Sequence, residues 1–349
     1  MLSAPQASRL PNRLPNRLQM ADLARIAGVS VSTVSRALNH SPLLNADTRD
    51  RILALARDMN YSINVAAQNL RLKQNRTVAV IVPYDARTRQ HLSDPFFLSL
   101  IGGLADALTA RGHDMLLTRV DAEHLDAAAS PWQSGRASGV VMVGQWHHHD
   151  QLNEMADSAM PFVVWGAQMA GQRYATVGGD NREGGRLATA HLIERGARHV
   201  LFFGDPELPE IGQRCEGWRA AHRAARRALP PDGCRPVPFV AEAIEAEIER
   251  LVASRQPFDA IFAASDLMAM TVISSLRRLG RRVPEDVQVV GYDDIALAAH
   301  FVPPLSTVRQ PIEAAGEALV GLLLAQLAGE PRRSALLATE LVVRQSSGG

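Results

Sequence analysis

Residues 20–39 read MADLARIAGVSVSTVSRALN. In the first half of this segment apolar residues recur at the spacing of one helix face, at Met20, Leu23, Ala24 and Ala27. Gly28 then stands where a tight turn requires a positive φ, and Ser30 is a residue type that caps helix N-termini. The pattern predicts two short helices joined by a sharp turn, as in a helix-turn-helix DNA reader, with an ordinary helical hairpin as the alternative.

The outer side of the second helix carries the residues that a DNA major groove would meet. Val34 and Ala37 face inward at helical spacing. The expected base contacts lie on the other side, at Val31, Ser32 and Arg36. Arg36 is the candidate for two hydrogen bonds to a guanine. Contacts with phosphates, which fix the register of a protein on DNA, are expected from Ser30, Thr33, Ser35, Asn39 and Asn64.

The residues that follow predict a compact headpiece and then a hinge. Asn45 is a capping residue type that precedes an apolar helix face, which predicts a third helix. Asn64 is a capping residue type before a short segment, residues 65–71, whose apolar residues are Val65, Ala66, Ala67 and Leu70. An isolated helix shorter than about 12 residues needs a partner. A DNA minor groove and a second copy of the segment would supply one, with Leu70 wedged between base steps. The expected minor-groove residues are Ala67, Gln68 and Leu70. A linker whose Leu70 packs on the next domain is the alternative.

Several separated motifs resemble the lactose repressor family of bacterial transcription regulators, and they occur in that family's order. They are residues 20–39, Asn60-Tyr61, residues 64–70, Asp94-Pro95-Phe96-Phe97, Gly291-Tyr292-Asp293-Asp294 and PPLSTVRQ at residues 303–310. The resemblance covers the chain apart from about the first eighteen residues. It implies a homodimer that binds a near-palindromic operator in double-stranded DNA and a small-molecule effector, and it implies no enzymatic activity.

Four regions are expected in the chain. They are a disordered basic extension at residues 1–18, a DNA-binding headpiece at 19–63, a hinge helix and linker at 64–76, and an effector-binding and dimerisation core at 77–349. Charge supports the division, because residues 1–76 hold 11 Lys and Arg against 4 Asp and Glu, and the remainder holds 26 against 32. The basic part contains the DNA motif, which predicts affinity for DNA that falls steeply with salt.

From residue 77 onward short apolar runs alternate with helix-length segments. The runs, expected to be fully buried strands, are residues 78–82, 115–117, 140–143, 162–165, 200–203, 260–264 and 287–290. This alternation predicts an α/β fold with parallel sheets covered on both faces. The family resemblance implies a core of the periplasmic-binding-protein type, with two doubly wound lobes joined by three crossovers. Lobe one would comprise residues 77–177 and 310–340, and lobe two residues 178–309 and 341–349.

Ligands of open parallel sheets bind beyond the carboxyl ends of the strands. Polar and aromatic residues follow several of the expected strands, namely Asp85, Gln145, Trp146, residues 165–168, Ser265-Asp266 and Asp293-Asp294. Hydrogen-bonding groups beside aromatic faces suit a hydroxylated ring such as a sugar. The pattern therefore predicts a site for a small hydroxylated effector.

The family resemblance indicates which individual residues would bind the effector. The expected effector-binding residues are Phe97, Trp165, Arg214, Ser265, Asp293 and Gln310. Arg214 matches the family's effector-binding arginine, whose planar guanidinium can bind both oxygens of a diol or a carboxylate. The alternative is a surface arginine that pairs with Glu216 or another acid. The chain departs from the family after the fourth strand, where a lobe-two contact that is often Asp is here Gly166.

Two conspicuous stretches predict no further chemistry. The histidines at residues 147–149 lack partners at metal-ligating spacing and are expected in a solvated loop at the cleft mouth. The glycine-rich stretch 178–185 lacks the spacing of a nucleotide-binding loop, and Asp180 or Asn181 is expected to cap a helix there. We therefore expect no metal and no cofactor.

The remaining features concern compartment and assembly. No run of eighteen apolar residues occurs and no signal peptide precedes the headpiece, so we expect a cytoplasmic protein with no membrane partner. Cys215 and Cys234 are scattered in the sequence and are expected to be reduced thiols without a redox role. No leucine heptad follows Val343, so no tetramer is expected.

Together these features predict a ligand-responsive transcriptional regulator, a repressor of carbohydrate-utilisation genes that a sugar releases from a palindromic operator. A corepressor-type regulator with a purine-like effector uses the same architecture and is an alternative. A sugar-binding transport protein would share the core, but it would need a signal peptide and no headpiece.

Overall fold

The computed structural model describes residues 19–38, 41, 43–59, 61, 75–84, 92–254 and 256–349. The chain divides into two compact units, residues 1–74 and residues 75–349. Several expectations lie outside the described residues, namely those for the extension at 1–18 and for Asn39, Asn60, Asn64, Ala67, Gln68, Leu70 and Asp85. No described helix has both the length and the apolarity to cross a bilayer.

The described part of the first unit holds three helices, α1 (Met20–Ala27), α2 (Val31–Leu38) and α3 (Ala46–Asp58). Gly28 ends α1 with a φ of 67°, and its N–H donates to the carbonyl groups of Ala24 and Arg25. A residue with a Cβ is disfavoured in this conformation. Ser30 then caps α2, because its Oγ accepts the N–H of Thr33 at 3.1 Å. The predicted helix-turn-helix is confirmed.

A small apolar core holds the three helices together. Each helix contributes a side chain with no exposed surface, Leu23 from α1, Val34 from α2 and Ile52 from α3. Asn45 caps α3 by accepting the N–H of Asp47 at 2.8 Å, as its residue type predicted. Because Val34 points into this core, the opposite side of α2 is left for contact with another molecule.

The second unit is built on two sheets. Its described strands are β1 (Thr77–Tyr84), β2 (Asp114–Asp121), β3 (Gly139–Val143), β4 (Phe162–Trp165), β5 (Ala175–Gly179), β6 (Val200–Phe203), β7 (Cys234–Arg235), β8 (Ala260–Ala263), β9 (Gln288–Asp293), β10 (Ser306–Arg309), β11 (Ala335–Leu337) and β12 (Glu340–Val342). The first sheet has the order β11-β5-β4-β3-β1-β2 and the second β12-β10-β9-β8-β6-β7. Strand pairs are parallel, apart from β10 with β12.

Helices connect these strands and cover the sheets. The described ones are α4 (Pro95–Ala110), α5 (Ser130–Gln133), α6 (His149–Ala156), α7 (Asn181–Glu194), α8 (Pro209–Ala224), α9 (Ala241–Ser254), α10 (Asp266–Arg278) and α11 (Ile312–Leu327). Successive residues of β1 point to opposite sides, so that Val80 packs in a cluster with α4 and α11 while Ile81 packs in a cluster with α6. The central strands are therefore buried on both faces, which accounts for their continuous apolar runs.

The chain passes between the two sheets three times. It leaves the first sheet after β5, returns to it through α11 after β10, and passes to the second sheet again between β11 and β12. This is the architecture of two parallel-sheet α/β lobes that the resemblance implied. β5 extends to Gly179, so the first sheet continues past residue 177, where the sequence placed the boundary.

One strand predicted to be fully buried is not. The run at residues 115–117 lies in β2, at the edge of the first sheet, where Val120 is buried and the other residues are partly or fully exposed. An edge strand has a neighbour on one side only, so part of its surface remains in solvent. An apolar run by itself does not reveal which strands of a sheet are outermost.

Glycines let α7 and α8 approach each other closely. A Cβ at Gly185 of α7 would lie 2.2 Å from the carbonyl oxygen of Arg214 in α8, and a Cβ at Gly217 of α8 would lie 2.2 Å from that of Arg182 in α7. The two backbones are therefore in contact where the glycines lie. The end of the glycine-rich stretch 178–185 serves helix packing, which explains its composition without a nucleotide.

We predict that Gly217→Ala destabilises the second unit by about 1 to 3 kcal/mol, because the added methyl group overpacks a backbone contact. Urea-induced unfolding followed by circular dichroism measures the change. Gly321→Ala in α11 is the matched control, since no heavy atom lies within 4 Å of a Cβ there, and it should raise stability by up to about 1 kcal/mol or leave it unchanged. Equal stabilities for the two variants would contradict the close helix contact.

Candidate functional site

α2 presents an accessible face in the first unit. Val31, Ser32 and Arg36 are exposed, and Val31 retains 40% of its accessible surface. Val34 and Ala37, on the opposite side of the helix, are buried in the headpiece core. The structure thus places the three expected base-contacting residues on one face, and their contacts with DNA stay a prediction.

Three hydroxyl groups cluster at the N-terminus of α2. Ser30 Oγ lies 2.7 Å from Ser32 Oγ and 2.8 Å from Thr33 Oγ1. This end of a helix carries unpaired N–H groups and a partial positive charge, which together suit a phosphate oxygen. Ser35, another expected phosphate contact, is half-buried on the same helix. The arrangement is compatible with the expected positioning on a DNA backbone.

The second unit contains a cleft lined by charged, polar and aromatic side chains, a mixture typical of small-molecule sites. All six residues expected at the effector site line it, namely Phe97, Trp165, Arg214, Ser265, Asp293 and Gln310. Trp165 ends β4 in the first sheet and Asp293 ends β9 in the second, whereas Gln310 follows β10 where the chain crosses between them. The cleft therefore lies between the two lobes, at the carboxyl ends of their strands.

Arg214 is held rigidly in this cleft. It is 6% exposed, its Nε donates to Asn181 Oδ1 at 2.9 Å, and its Nη1 donates to the carbonyl oxygen of Ala264 at 2.5 Å. The central carbon of the guanidinium lies 3.6 Å from the centroid of the Tyr292 ring, within cation–π range. These contacts fix the plane of the guanidinium before any ligand binds.

The alternative of a surface ion pair between Arg214 and Glu216 is wrong. Glu216 is exposed and pairs with Arg182, whose Nε lies 2.5 Å from its Oε2. Consecutive helical residues diverge by about 100°, so residues 214 and 216 point to different sides of α8. The side of α8 that carries Arg214 faces the cleft, and the side that carries Glu216 faces solvent.

Asp293 supplies a carboxyl group with an unusual proton affinity. The residue has a φ of 123°, and Gln310 Nε2 donates to its Oδ1 at 2.8 Å. Burial raises the pKa of Asp293 to about 7, although attraction to the Arg214 guanidinium opposes the rise. The group therefore exchanges its proton near neutral pH.

Two further carboxyl groups line the cleft, and neither was predicted from the sequence to lie there. Asp94 caps α4 by accepting the N–H of Phe96 at 2.9 Å, and burial raises the pKa of Asp94. Glu210 lies in the first turn of α8, where burial raises its pKa against attraction to Arg214. The four-residue spacing of Glu210 and Arg214, which places both on one helix face, was the available signal.

Aromatic rings line the cleft beside these charged groups. The ring centroid of Phe96 lies 6.2 Å from that of Trp165 and 5.7 Å from that of Phe97. Trp146 and Phe239 contribute two more rings to the lining. Flat apolar faces next to fixed hydrogen-bonding groups can hold a ring that has both CH faces and polar edges.

Gln145 explains the glycine at position 166. Its Oε1 accepts the N–H of Ala167 at 2.8 Å, and its Nε2 donates to the Ala167 carbonyl and the Tyr174 hydroxyl, both at 2.8 Å. A Cβ at Gly166 would lie 2.6 Å from the Gln145 side chain. Gln145 therefore occupies the space that a side chain at 166 would need. Gly166 follows β4, which belongs to the first sheet, so position 166 lies in the first lobe and its assignment to lobe two was wrong.

His149 does not lie in a solvated loop, contrary to expectation. It begins α6, and its Nδ1 lies 2.9 Å from the Tyr174 hydroxyl, which also accepts a hydrogen bond from Gln145. His147, two residues earlier, is exposed. The Tyr174 hydroxyl thus links His149 to Gln145, which lines the cleft.

Ser265 serves the fold as well as the cleft. Its Oγ accepts the N–H of Met268 at 3.2 Å and so caps α10. The next residue, Asp266, is fully buried and accepts the N–H of Ile295 at 2.9 Å, which anchors the loop after Asp293.

Family models and relatives agree on the class of protein. The model of bacterial regulatory proteins of the lacI family matches residues 19–64, and that of the periplasmic binding protein-like domain matches residues 189–347. The chain is 33% identical over 332 residues to the HTH-type transcriptional regulator CelR of Thermobifida fusca, covering 93% of this chain and 96% of CelR. The chain belongs to the lacI family of bacterial regulatory proteins. The family resemblance is confirmed, and the relatives named here are transcriptional regulators, not enzymes.

Other relatives of this lacI-family regulator support the same architecture. The transcriptional repressor CytR of Escherichia coli strain K12 is 30% identical over 335 residues, covering 94% of this chain and 96% of CytR. A solved CelR–cellobiose complex is 32% identical with a TM-score of 0.70, covering 95% of this chain and 100% of that one. The Lac repressor dimer bound to operator and the anti-inducer ONPF shares the fold, with 23% identity, a TM-score of 0.85, and coverage of 95% and 99%.

We predict that Asp293→Asn makes the stability of this regulator less dependent on pH. The wild-type pKa of about 7 in the folded chain exceeds the unfolded value of about 3.9. At a pH between these two values the folded state therefore binds more protons at Asp293 than the unfolded state does. The wild-type free energy of unfolding should therefore fall as pH rises from about 4 to 7, by roughly 1 to 2 kcal/mol for this partly exposed group. The variant should lose less.

Urea midpoints across this pH range measure the effect. Glu330→Gln, which removes a carboxyl group from an exposed position, is the control and should follow the wild type. Identical pH profiles for Asp293→Asn and the wild type would show that the Asp293 carboxyl group has no raised pKa.

Proposed function

We propose that this chain is a cytoplasmic, homodimeric repressor of carbohydrate-utilisation genes, which a neutral sugar releases from a near-palindromic operator. The observation that carries the proposal is the cleft, where the Arg214 guanidinium and the carboxyl groups of Asp293 and Glu210 lie beside aromatic rings. Vicinal hydroxyl groups donate and accept at once, so they can bind a guanidinium and a carboxylate together. The CH faces of a sugar ring can stack on the aromatic side chains.

Charge favours a neutral effector. The described lining of the cleft contains the carboxyl groups of Asp94, Glu210 and Asp293 and a single guanidinium, that of Arg214. An anionic ligand would add negative charge to a site already rich in carboxyl groups. A neutral sugar adds none and offers hydroxyl donors to the carboxyl oxygens. Because the relative CelR was solved in complex with cellobiose, cellobiose is the first ligand we propose for this cleft.

A purine-like corepressor is the second candidate, because the rings of Phe96 and Trp165 would also stack on a planar base. The two candidates differ in the sign of regulation. A releasing sugar binds more tightly to the conformation with low operator affinity, whereas a corepressor binds more tightly to the conformation with high operator affinity.

For DNA recognition, we propose that two headpieces enter successive major grooves. The proposed base contacts are Val31, Ser32 and Arg36, and the proposed phosphate contacts are Ser30, Thr33, Ser35, Asn39 and Asn64. Paired hinge segments would reach the minor groove with Ala67, Gln68 and Leu70. Effector binding between the lobes would change their relative orientation and the pairing of the hinges, so that the cleft and the operator are coupled through a two-state element.

Arg36→Ala should reduce affinity for operator DNA by about tenfold or more, because a bidentate arginine–guanine contact contributes about 1 to 3 kcal/mol. A fluorescence anisotropy titration with the chain's own promoter DNA at fixed salt measures it. Arg57→Ala removes an equal charge from the exposed side of α3 and is the matched control. If the two variants lose affinity equally, Arg36 contributes charge alone and the proposed base contact is refuted.

Cellobiose should raise the thermal midpoint of the full chain by mass action and reduce its affinity for the promoter DNA. Guanine, tested in parallel as a planar purine, should do neither. If guanine stabilises the chain and strengthens DNA binding while cellobiose has no effect, the corepressor candidate replaces the sugar.

Arg214→Lys should weaken cellobiose binding by about tenfold or more, because lysine keeps the charge but loses the planar fork of donors. Isothermal titration calorimetry measures the dissociation constant. Arg182→Lys is the control, since Arg182 is exposed and pairs with Glu216 outside the cleft. Unchanged affinity in Arg214→Lys would exclude Arg214 from the proposed binding site.

A further inference from the structure

The two cysteines, far apart in sequence, are in contact in the structure. Cys215 lies on α8 and Cys234 on β7, and their Sγ atoms are 3.2 Å apart. Both cysteines are free thiols in the structure, as the sequence predicted, but their sequence positions gave no sign of the contact. The intervening residues 216–233 return the chain from the second half of α8 to the outermost strand of the second sheet. Sequence spacing could not show this, because the contact depends on how α8 packs against that sheet.

We propose that Cys215 and Cys234 are a peroxide-sensitive thiol pair that closes to a reversible intramolecular disulfide and so alters the effector cleft. The pair meets the first requirement of such a site, since the two sulfur atoms already touch and a bond would shorten their separation by only about 1 Å.

The two thiols differ in exposure in a way that sets the order of reaction. Cys234 is partly exposed on the edge strand β7, whereas Cys215 has no exposed surface. The hydrogen bond between the two sulfur atoms lowers the pKa of Cys234, and Arg219 lowers it further while burial opposes both. The pKa of Cys215 is raised by the same hydrogen bond and by burial. Cys234 is thus the thiolate that meets the oxidant, and Cys215 is the resolving thiol.

The chemistry balances with a hydroperoxide as the oxidant. The Cys234 thiolate attacks one peroxide oxygen, the O–O bond breaks, and Cys234 becomes a sulfenic acid as hydroxide leaves. The Cys215 sulfur then attacks the Cys234 sulfur, the S–O bond breaks, and a second hydroxide leaves. The two thiol protons complete two water molecules when hydrogen peroxide is the oxidant. Two electrons pass from the sulfur pair to the peroxide, and a dithiol reductant reverses the step.

A bond between these sulfurs would join two segments that line the cleft. Cys215 directly follows Arg214, and Cys234 lies five residues before Phe239, which also lines the cleft. β7 is a two-residue edge strand paired on one side only, with β6, so it can yield when the bond forms. Drawing α8 and β7 together displaces Arg214 relative to Phe239.

The first test treats the reduced full chain with hydrogen peroxide and counts its thiols after denaturation. The wild type should go from two thiols to none, with the loss of two hydrogens from its intact mass, no covalent dimer, and full recovery in dithiothreitol. Cys215→Ser should accumulate a trappable sulfenic acid at Cys234, and Cys234→Ser should react more slowly because Cys215 is buried. Retention of both thiols, oxidation to sulfinic acid without a disulfide, or crosslinking between chains would overturn the proposal.

The second test compares cellobiose affinity in the reduced and oxidised wild type by calorimetry, with Cys234→Ser treated in the same way as the control. Oxidation should weaken binding at least about fivefold in the wild type and leave the variant unchanged. Equal affinities in the two forms of the wild type would overturn the link to the cleft. This arm rests on the proposed sugar effector, and reduced chain that binds no cellobiose would refute that effector, whereas the thiol count decides the disulfide separately.

Discussion

The burial of one guanidinium group is the constraint on which the cleft depends. Arg214 is 6% exposed, and its charge is tolerated because Asn181 and the Ala264 carbonyl accept its hydrogen bonds while the Tyr292 ring lies against it. A buried charge deprived of such partners would cost several kcal/mol. The start of α7 and the ends of β8 and β9 must therefore meet at one point beside α8. The glycine contact between α7 and α8 allows them to do so.

The same burial governs the carboxyl groups around Arg214. Asp293, with a pKa raised to about 7, and Glu210, with a pKa that is also raised, are held in a place where ionisation is costly without a partner. Arg214 stabilises their charged forms only in part. A ligand whose hydroxyl groups donate hydrogen bonds to these carboxyl oxygens would stabilise their charged forms further. The electrostatics of the cleft therefore favour an effector rich in hydroxyl groups, such as the proposed sugar.

The headpiece and the cleft differ in how far apart in sequence their interacting residues lie. Gly28 and Ser30 set the turn and the cap of the headpiece through contacts with residues at most four positions away. Such contacts leave a pattern in the sequence, and the helix-turn-helix could be predicted from it. The cleft brings together residues from Asp94 to Gln310. The strand-end pattern and the family resemblance each named part of the lining. The strand ends indicated Gln145, Trp146, Trp165, Ser265 and Asp293, and the resemblance added Phe97, Arg214 and Gln310.

The sequence by itself determined the helix-turn-helix, the α/β alternation and the family, because these follow from residue types at fixed local spacing and from motifs in a fixed order. The tertiary structure alone decided that β2 is an edge strand, that Gln145 fills the space above Gly166, and that Cys215 touches Cys234. The physical reason is the same in each case. Strand order and close packing bring distant segments within a few ångströms, and no local pattern of side chains specifies which segments will meet.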